Sequence, residues 1–110
     1  MTPAARLRVV QRALGQHKVL AMLFYNPTSA DDDAVKAELA SIPVRGGRVV
    51  KLEVPLTELP RYTQVISQVP VNFSPTLVII DRAQQASEIT GFTDRFEIAQ
   101  RIDQALAVKP

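Results

Sequence analysis

The residues whose type and spacing could support chemistry are Ser29, Asp31, Asp32 and Asp33, in the segment NPTSADDDAVK that follows an apolar run. A serine hydroxyl is a weak nucleophile unless an adjacent base activates it, and no histidine is near in the sequence. A hard cation takes about six or more oxygen ligands, whereas consecutive residues of a helix point in different directions. The segment therefore predicts neither a nucleophilic centre nor a metal site.

The composition excludes further classes of chemistry. The chain of 110 residues contains no cysteine, so disulfides, thiol nucleophiles and thiolate metal sites are excluded. Its single histidine, His17, stands between Gln16 and Lys18 at a predicted helix-to-strand junction, where an exposed side chain is typical. One histidine cannot form a histidine-rich metal site. We therefore predict that the domain has no resident cofactor and no metal.

The charge balance does not indicate a nucleic acid or a membrane surface as a partner. Lys and Arg number 13 against 11 Asp and Glu, which gives a net charge of +2. The arginines of the first segment are expected on the solvated side of a helix. No apolar run reaches the ~18 residues of a membrane span, and no signal-peptide pattern follows Met1. The location in the cell stays open, because a domain cut from a longer chain would look the same.

Hydrophobic periodicity predicts elements in the order α-β-α-β-α-β-β-α. Apolar residues at helical spacing or flanking prolines predict helices over 4–15, 30–41, 57–69 and 94–107. Short, mostly apolar runs predict strands over 18–25, 48–54, 76–81 and 85–90, of which the last is more polar and is expected at a sheet edge. This alternation predicts a single α/β domain over residues 1–110, a three-layer α/β/α sandwich around a mixed four-stranded sheet.

Capping patterns mark the predicted helix ends. Gly15 is expected just past the end of the first helix. Ser29-x-x-Asp32 has capping-box spacing, so the Ser29 hydroxyl is expected to accept from the backbone amide near Asp32. Asp94-x-x-Glu97 has the same form. Carboxylates in a first helical turn gain about 0.3–1 kcal/mol each from the helix dipole, so we prefer helix capping over a binding role for Ser29 and Asp32.

Four features together, covering nearly the whole chain, resemble the thioredoxin family. The strand Leu23-Phe24-Tyr25 followed by Ser29-Ala30-Asp31-Asp32 is similar to the family's central strand and Cys-x-x-Cys helix start. Val50-Lys51-Leu52 looks like its second central strand with a lysine. Ser74-Pro75-Thr76 before a strand looks like the cis-proline loop, and Gly91 precedes the last helix as in the family.

The resemblance implies a fold with its redox chemistry missing. Ser29 and Asp32 stand at the two cysteine positions, and thiol–disulfide exchange requires a thiolate. Leu23 stands where the family keeps a buried carboxylate, so Lys51 lacks its family partner. The resemblance also implies a cis Ser74–Pro75 bond and a backbone at Ser74 that pairs with an extended peptide or with glutathione, which is a form of strand addition.

The first functional hypothesis is a non-catalytic module that binds another protein or an extended peptide. An exposed apolar patch of Val71, Phe73 and Pro75 would mark such a partner site. The candidate binding residues are Tyr25, Ser29, Asp32, Phe73, Ser74, Pro75 and Thr76.

Two alternatives stay open. One is glutathione binding, or glutathione-transferase-like activity, in which Ser29 and the cis-proline loop hold the thiol ligand. The three aspartates, which repel the carboxylates of glutathione, and the missing all-helical second domain count against it. The other is a scaffolding domain of a longer chain that assembles through the basic first helix. The sequence does not specify an oligomeric state.

Overall fold

The computed structural model describes residues 1–110, and the elements follow the predicted order closely. The helices are α1 (Pro3–Gly15), α2 (Ala30–Ala40) and α3 (Arg95–Leu106), and the strands are β1 (Val19–Tyr25), β2 (Val49–Pro55), β3 (Thr76–Ile80) and β4 (Ala86–Thr90). Two 3₁₀ segments, Arg45–Gly47 and Leu56–Tyr62, complete the order. No helix is both long and apolar enough to cross a membrane.

The four strands form one mixed sheet in the order β2-β1-β3-β4. β1 pairs in parallel with β2, from Val19 opposite Val49 to Tyr25 opposite Pro55. β3 runs antiparallel to β1, with Leu77 opposite Leu23, and β4 runs antiparallel to β3. The predicted mixed sheet and the edge position of the polar strand β4 are therefore confirmed.

Helices cover both faces of the sheet, which confirms the three-layer sandwich. Alternate residues of β1 divide between two hydrophobic clusters because successive strand side chains point to opposite faces. Val19, Ala21 and Leu23 pack with α2 and α3 on one face. Leu20, Met22 and Phe24 pack on the other face with α1 and with the segment after β2. Both clusters meet at β1, which explains its nearly unbroken apolar sequence.

The helix predicted over 57–69 is wrong. The chain forms a seven-residue 3₁₀ helix, Leu56–Tyr62, and then a series of turns. Pro60 lies inside this segment, where it has no N–H to donate, and no side chain caps the segment's start. Burial of Tyr62 and Ile66 against the sheet holds the segment instead.

The prediction that Gly15 lies just past α1 is also wrong. Gly15 is the last residue of α1, and the chain reverses at His17, which has a φ of 55°. The amides of His17 and Lys18 donate to the carbonyls of Leu14 and Ala13, at 3.1 Å each. Because these bonds satisfy the free carbonyls of the last turn, the reversal falls two residues later than predicted.

Arg6 is not on a solvated basic face, contrary to expectation. Its Nε donates to Oε1 of Glu58 at 2.8 Å, and its Nη2 donates to Oε2 at 2.5 Å. Both side chains are largely buried, with 16% and 8% of their surface exposed. The hydrogen bond from Arg6 holds the pKa of Glu58 below its ordinary value. This bidentate pair joins α1 to the 3₁₀ segment after β2.

Lys51 of β2 takes a new role in place of the partner that the resemblance implied. Its Nζ donates to three backbone oxygens at the end of α2, namely Leu39 at 3.3 Å, Ala40 at 3.0 Å and Ile42 at 2.6 Å. The last turn of α2 contains no basic residue of its own. Lys51 therefore supplies both the donors and the positive charge that a helix C-terminus favours.

Candidate functional site

The connection between β1 and α2 forms one wall of the candidate site. The Asn26 side chain accepts from the Thr28 amide at 3.0 Å and from the Thr28 hydroxyl at 2.8 Å. Such a side-chain turn folds the connection back on itself. The Ser29 amide then donates to the Asn26 carbonyl at 3.1 Å, which brings the start of α2 against the end of β1.

Ser29 caps α2 as predicted, but Asp32 does not complete a capping box. The Ser29 hydroxyl accepts from the Asp32 amide at 3.3 Å. The Asp32 carboxylate accepts from the Asn26 amide at 2.6 Å and is 2% exposed. Because the Ser29 amide is already bonded to the Asn26 carbonyl, the Asp32 side chain turns to the nearest free amide instead.

The same half-formed capping box occurs at α3. Asp94 accepts from the amides of Phe96 and Glu97 at 3.0 Å each, as the sequence predicts. The Glu97 carboxylate accepts from the hydroxyl of Thr93 and does not return to the Asp94 amide. The cap is therefore present, but its reciprocal half is replaced by a bond to the buried Thr93.

The loop before β3 forms the opposite wall. The Ser74–Pro75 peptide bond is cis. The Pro75 carbonyl accepts from the Gly91 amide at 2.8 Å, which ties this loop to the end of β4. Ser74 makes no hydrogen bond with the rest of the chain through either its amide or its carbonyl. Because Ser74 is half-buried, its free N–H and C=O are left to water or to a partner.

Between these walls lies a cleft of about 370 Å³. We call it the proline cleft, and its lining residues are Asn26, Ser29, Asp31, Asp32, Ser74, Pro75, Gly91 and Phe92. Phe92 is its single large apolar group and is 72% exposed. Two carboxylates and several polar groups make up most of the rest.

The structure brings four of the predicted site residues together and separates three. Ser29, Asp32, Ser74 and Pro75 line the proline cleft, whereas Tyr25, Phe73 and Thr76 do not. The Tyr25 ring packs against the core cluster of α2 and α3, with the ammonium of Lys36 4.9 Å from its centroid. The buried Thr76 hydroxyl donates to the Phe73 carbonyl at 2.7 Å. Thr76 therefore stabilises the loop before β3 through a buried hydrogen bond and does not face the cleft.

The apolar patch predicted from Val71, Phe73 and Pro75 is not formed. Val71 packs against the cluster under α1 and Pro75 is buried, so Phe73 alone is exposed, at 69%. Sequence reasoning missed Phe92, which lies next to Gly91 and lines the cleft. A signal was present in the sequence, since an aromatic residue two positions past a strand and outside any apolar period has no core position to fill.

No group of three or more His, Asp or Glu side chains is placed to hold a metal ion. The Ser29 hydroxyl has a carboxylate neighbour in the cleft but no histidine there to activate it.

Comparisons with known proteins rest on structure alone. No protein-family model matches the sequence, and no curated protein matches it. A wild-type thioredoxin h from poplar superposes with a TM-score of 0.73 at 14% identity, over 98% of this chain and 94% of the other. A chloroplastic thioredoxin z gives 0.69 at 21% identity, over 92% and 90%. The oxidised C-terminal domain of DsbD from Neisseria meningitidis gives 0.65 at 17% identity, over 94% and 96%.

The chain has the thioredoxin fold. This confirms the fold that the sequence resemblance implied. The chain itself contains no cysteine. Identities this low carry the fold and nothing about activity or partners. Within the thioredoxin fold as this chain builds it, the proline cleft has a serine and an aspartate at the start of α2 and no thiol.

Proposed function

We propose that this thioredoxin-fold domain is a non-catalytic binding module, and that its proline cleft takes an extended segment of another protein. The fold and the absence of cysteine fit a module without thiol–disulfide chemistry.

The observation that carries the proposal is the unpaired backbone of Ser74 at the wall of the cleft. An N–H and a C=O on one residue can pair with the backbone of an extended peptide, as in strand addition. Such pairing supplies affinity from the backbone, and neighbouring pockets supply preference for side chains. Gly91 and Phe92 stand across the cleft from α2, where alternate side chains of a bound segment would lie.

The chemistry of the walls favours a partner segment with basic and apolar residues. Asp31 is exposed beside the buried Asp32 at the start of α2, so the cleft is acidic on that side. Phe92 and Phe73 expose 72% and 69% of their surface near the loop. Aromatic groups exposed in this way are typical of interfaces, where they bury large areas at small entropic cost. A lysine or arginine of the partner would lie toward Asp31.

The test is an NMR titration of the ¹⁵N-labelled domain with two synthetic extended octapeptides. Both share one aliphatic backbone pattern, and one carries lysines where the other carries glutamates. We expect the lysine peptide to shift the amides of Ser29, Ser74, Gly91 and Phe92. The glutamate peptide should bind more weakly because its charge repels Asp31.

A matched pair of phenylalanine variants sharpens the test. Phe92→Ala should weaken binding of the lysine peptide about five- to tenfold. Phe96→Ala is the control, since Phe96 is 78% exposed and does not line the cleft. Shifts that avoid Ser74 and Gly91, or equal loss in both variants, would contradict the proposed site.

Glutathione is the ligand of the rival hypothesis, and the structure gives it little support. The Ser29 hydroxyl already accepts the Asp32 amide, and the carboxylates of Asp31 and Asp32 lie in the same cleft. A glutathione arm of the same titration separates the two hypotheses. Shifts with glutathione at Ser29 and Ser74, together with conjugation to a model electrophile that Ser29→Ala abolishes, would favour the rival.

A further inference from the structure

A second, larger cleft lies at the other end of the sheet, where β1 and β2 begin and β3 ends. Its volume is about 560 Å³, and we call it the basic cleft. Its lining residues are Gln16, His17, Lys18, Gly46, Gly47, Arg48, Arg82 and Leu106. Three chain segments that are distant in sequence and the end of α3 therefore converge on one space.

The charges in the basic cleft are all of one sign. Lys18, Arg48 and Arg82 line it with the imidazole of His17, and no carboxylate does. None of the three cations takes part in any of the salt bridges of the chain. Three positive charges at one site repel one another, and an anionic ligand would relieve that repulsion.

Two carboxylates stand close in sequence to lining residues of the cleft, Asp81 beside Arg82 and Asp103 three residues before Leu106, and both bond to other groups. Asp81 accepts from the amides of Ala83 and Gln85, at 2.8 and 3.0 Å. Asp103 pairs with Arg45 at 3.2 Å. Neither carboxylate forms a salt bridge with Lys18, Arg48 or Arg82.

Backbone contacts orient both arginines and leave their outer nitrogens free. Arg82 donates through Nε to the His17 carbonyl at 3.3 Å. Arg48 donates through Nε to the Arg45 carbonyl at 3.2 Å. The terminal guanidinium nitrogens of Arg48 and Arg82 and the Lys18 ammonium have no hydrogen-bond partner within the chain. The free nitrogens of a guanidinium group can donate two parallel hydrogen bonds to two oxygens of one phosphate group.

The glycine turn before β2 opens the cleft to a ligand. Gly46 and Gly47 have φ angles of 68° and 87°, which favour glycine. A Cβ at either position would meet no atom within 4 Å, so the backbone there faces open space. A ligand can therefore approach these peptide groups closely.

We propose that the basic cleft binds a di- or triphosphate group. The space lies within the usual range of ligand sites, about 300–1,000 Å³, and its charge matches an anion of several units. Leu106 is the single apolar lining residue, and no Phe, Tyr or Trp ring is present to stack on a base, so the proposed site recognises the phosphate chain and not an attached base. The proposal is independent of the proline cleft, since the two sites share no residue.

The test is a titration of the labelled domain with sodium pyrophosphate and with sodium tripolyphosphate at low ionic strength. We expect saturable shifts of the amides of His17, Gly46 and Gly47, which sodium chloride of equal ionic strength does not produce. ATP forms a further arm. If the phosphate chain alone is recognised, ATP should bind no more tightly than tripolyphosphate.

Charge-matched variants decide whether the cleft or the overall charge is responsible. Lys18→Gln and Arg48→Gln should each weaken pyrophosphate binding about fivefold or more. Arg8→Gln, an exposed residue of α1 outside the cleft, removes the same charge and should weaken binding less than about twofold. Thermal unfolding of each variant shows that it is folded. Absent shifts at Gly46 and Gly47, equal weakening by Arg8→Gln, or binding of ATP without tripolyphosphate would overturn the proposal.

Discussion

Asp32 is a buried carboxylate that closes the turn between β1 and α2. It accepts a short bond from the Asn26 amide at 2.6 Å and lies at the positive end of the α2 dipole. Replacing it by alanine removes a charge-assisted hydrogen bond and leaves the Asn26 amide unpaired. We expect Asp32→Ala to lower the free energy of unfolding by about 2 kcal/mol.

Urea unfolding at pH 7 measures this loss, and Asp33→Ala is the matched control. Asp33 belongs to the same helical turn but is exposed, so its replacement should cost less than about 1 kcal/mol. Equal losses in both variants would show that Asp32 acts through the helix dipole alone.

Glu58 predicts a dependence of stability on pH. Arg6 lowers the pKa of Glu58 in the folded state, so the pair stabilises the fold above the unfolded carboxyl's pKa of about 4.3. That stability is lost as the pH falls below this value, because the unfolded carboxyl then binds a proton that the folded carboxylate, with its lower pKa, does not yet bind. We expect Glu58→Gln to cost about 2 kcal/mol at pH 7 and much less at pH 3.

The control for Glu58 is an exposed pair in the same chain. Glu38 accepts from Arg95 at 2.9 Å, but 59% of the Arg95 side chain is exposed. Glu38→Gln should therefore cost less than about 1 kcal/mol, as exposed ion pairs do. Chemical unfolding at pH 7, 5 and 3 measures both variants, and a Glu58→Gln cost that does not change with pH would refute the argument.

Tyr62 has a buried hydroxyl without a hydrogen-bond partner. Its ring lies edge-on to Phe24, with 5.9 Å between centroids, and burial raises the pKa of the phenol. Tyr62→Phe keeps the ring contact and removes the unpaired group. We expect the variant to be as stable as the parent or up to about 1 kcal/mol more stable in urea unfolding. A loss of stability would mean that the hydroxyl has a bonded water.

At the scale of elements, Lys51 joins β2 to the end of α2 through three carbonyls. We expect Lys51→Met, which keeps the length of the side chain, to destabilise the domain by about 1–2 kcal/mol. Hydrogen exchange should accelerate first in the last turn of α2. Lys36→Met is the control, since Lys36 pairs with Glu53 at 3.7 Å on the surface. Unchanged exchange in α2 would show that the lysine does not cap that helix.

The four strands and the three α-helices were predictable because their signal is local. The apolar run of β1 and the apolar stripes of α2 and α3 indicate which residues are buried. The N-cap residues Ser29 and Asp94 indicate where α2 and α3 begin. The segment after β2 was predicted wrongly because its apolar residues fit a helical period while Pro60 prevents helical bonding. Tertiary burial holds that segment, and no local pattern reports it.

The candidate site was only half predictable for a similar reason. Ser29 and Asp32 share a local spacing, and the resemblance to thioredoxins supplied Ser74 and Pro75. The contacts of Arg6 with Glu58 and of Lys51 with α2 join residues far apart in the sequence. The basic cleft likewise gathers Lys18, Arg48 and Arg82 from three segments. Such sets become visible only after the sheet brings their elements together.

At the scale of the molecule, charge is divided between the two ends of the sheet. The aspartates at the start of α2 lie at the end where β1 stops, and the cations of the basic cleft lie where β1 starts. The small net charge of +2 therefore does not reveal that the two clefts carry charges of opposite sign. This division favours a cationic ligand at the proline cleft and an anionic ligand at the basic cleft. Each cleft would repel the ligand proposed for the other.

The two clefts should also bind independently. β1 separates them by about 20 Å, at roughly 3.3 Å per residue, and is buried on both faces in a closely packed core. We expect no second arrangement of β1 in such a core, so a ligand at one cleft has no second state of the other to favour. We expect saturating pyrophosphate to change the affinity for the lysine octapeptide less than about twofold once ionic strength is matched. Because coupling between two ligands is reciprocal, the peptide should leave pyrophosphate affinity equally unchanged, and a larger effect in both directions would reveal a conformational equilibrium that involves β1.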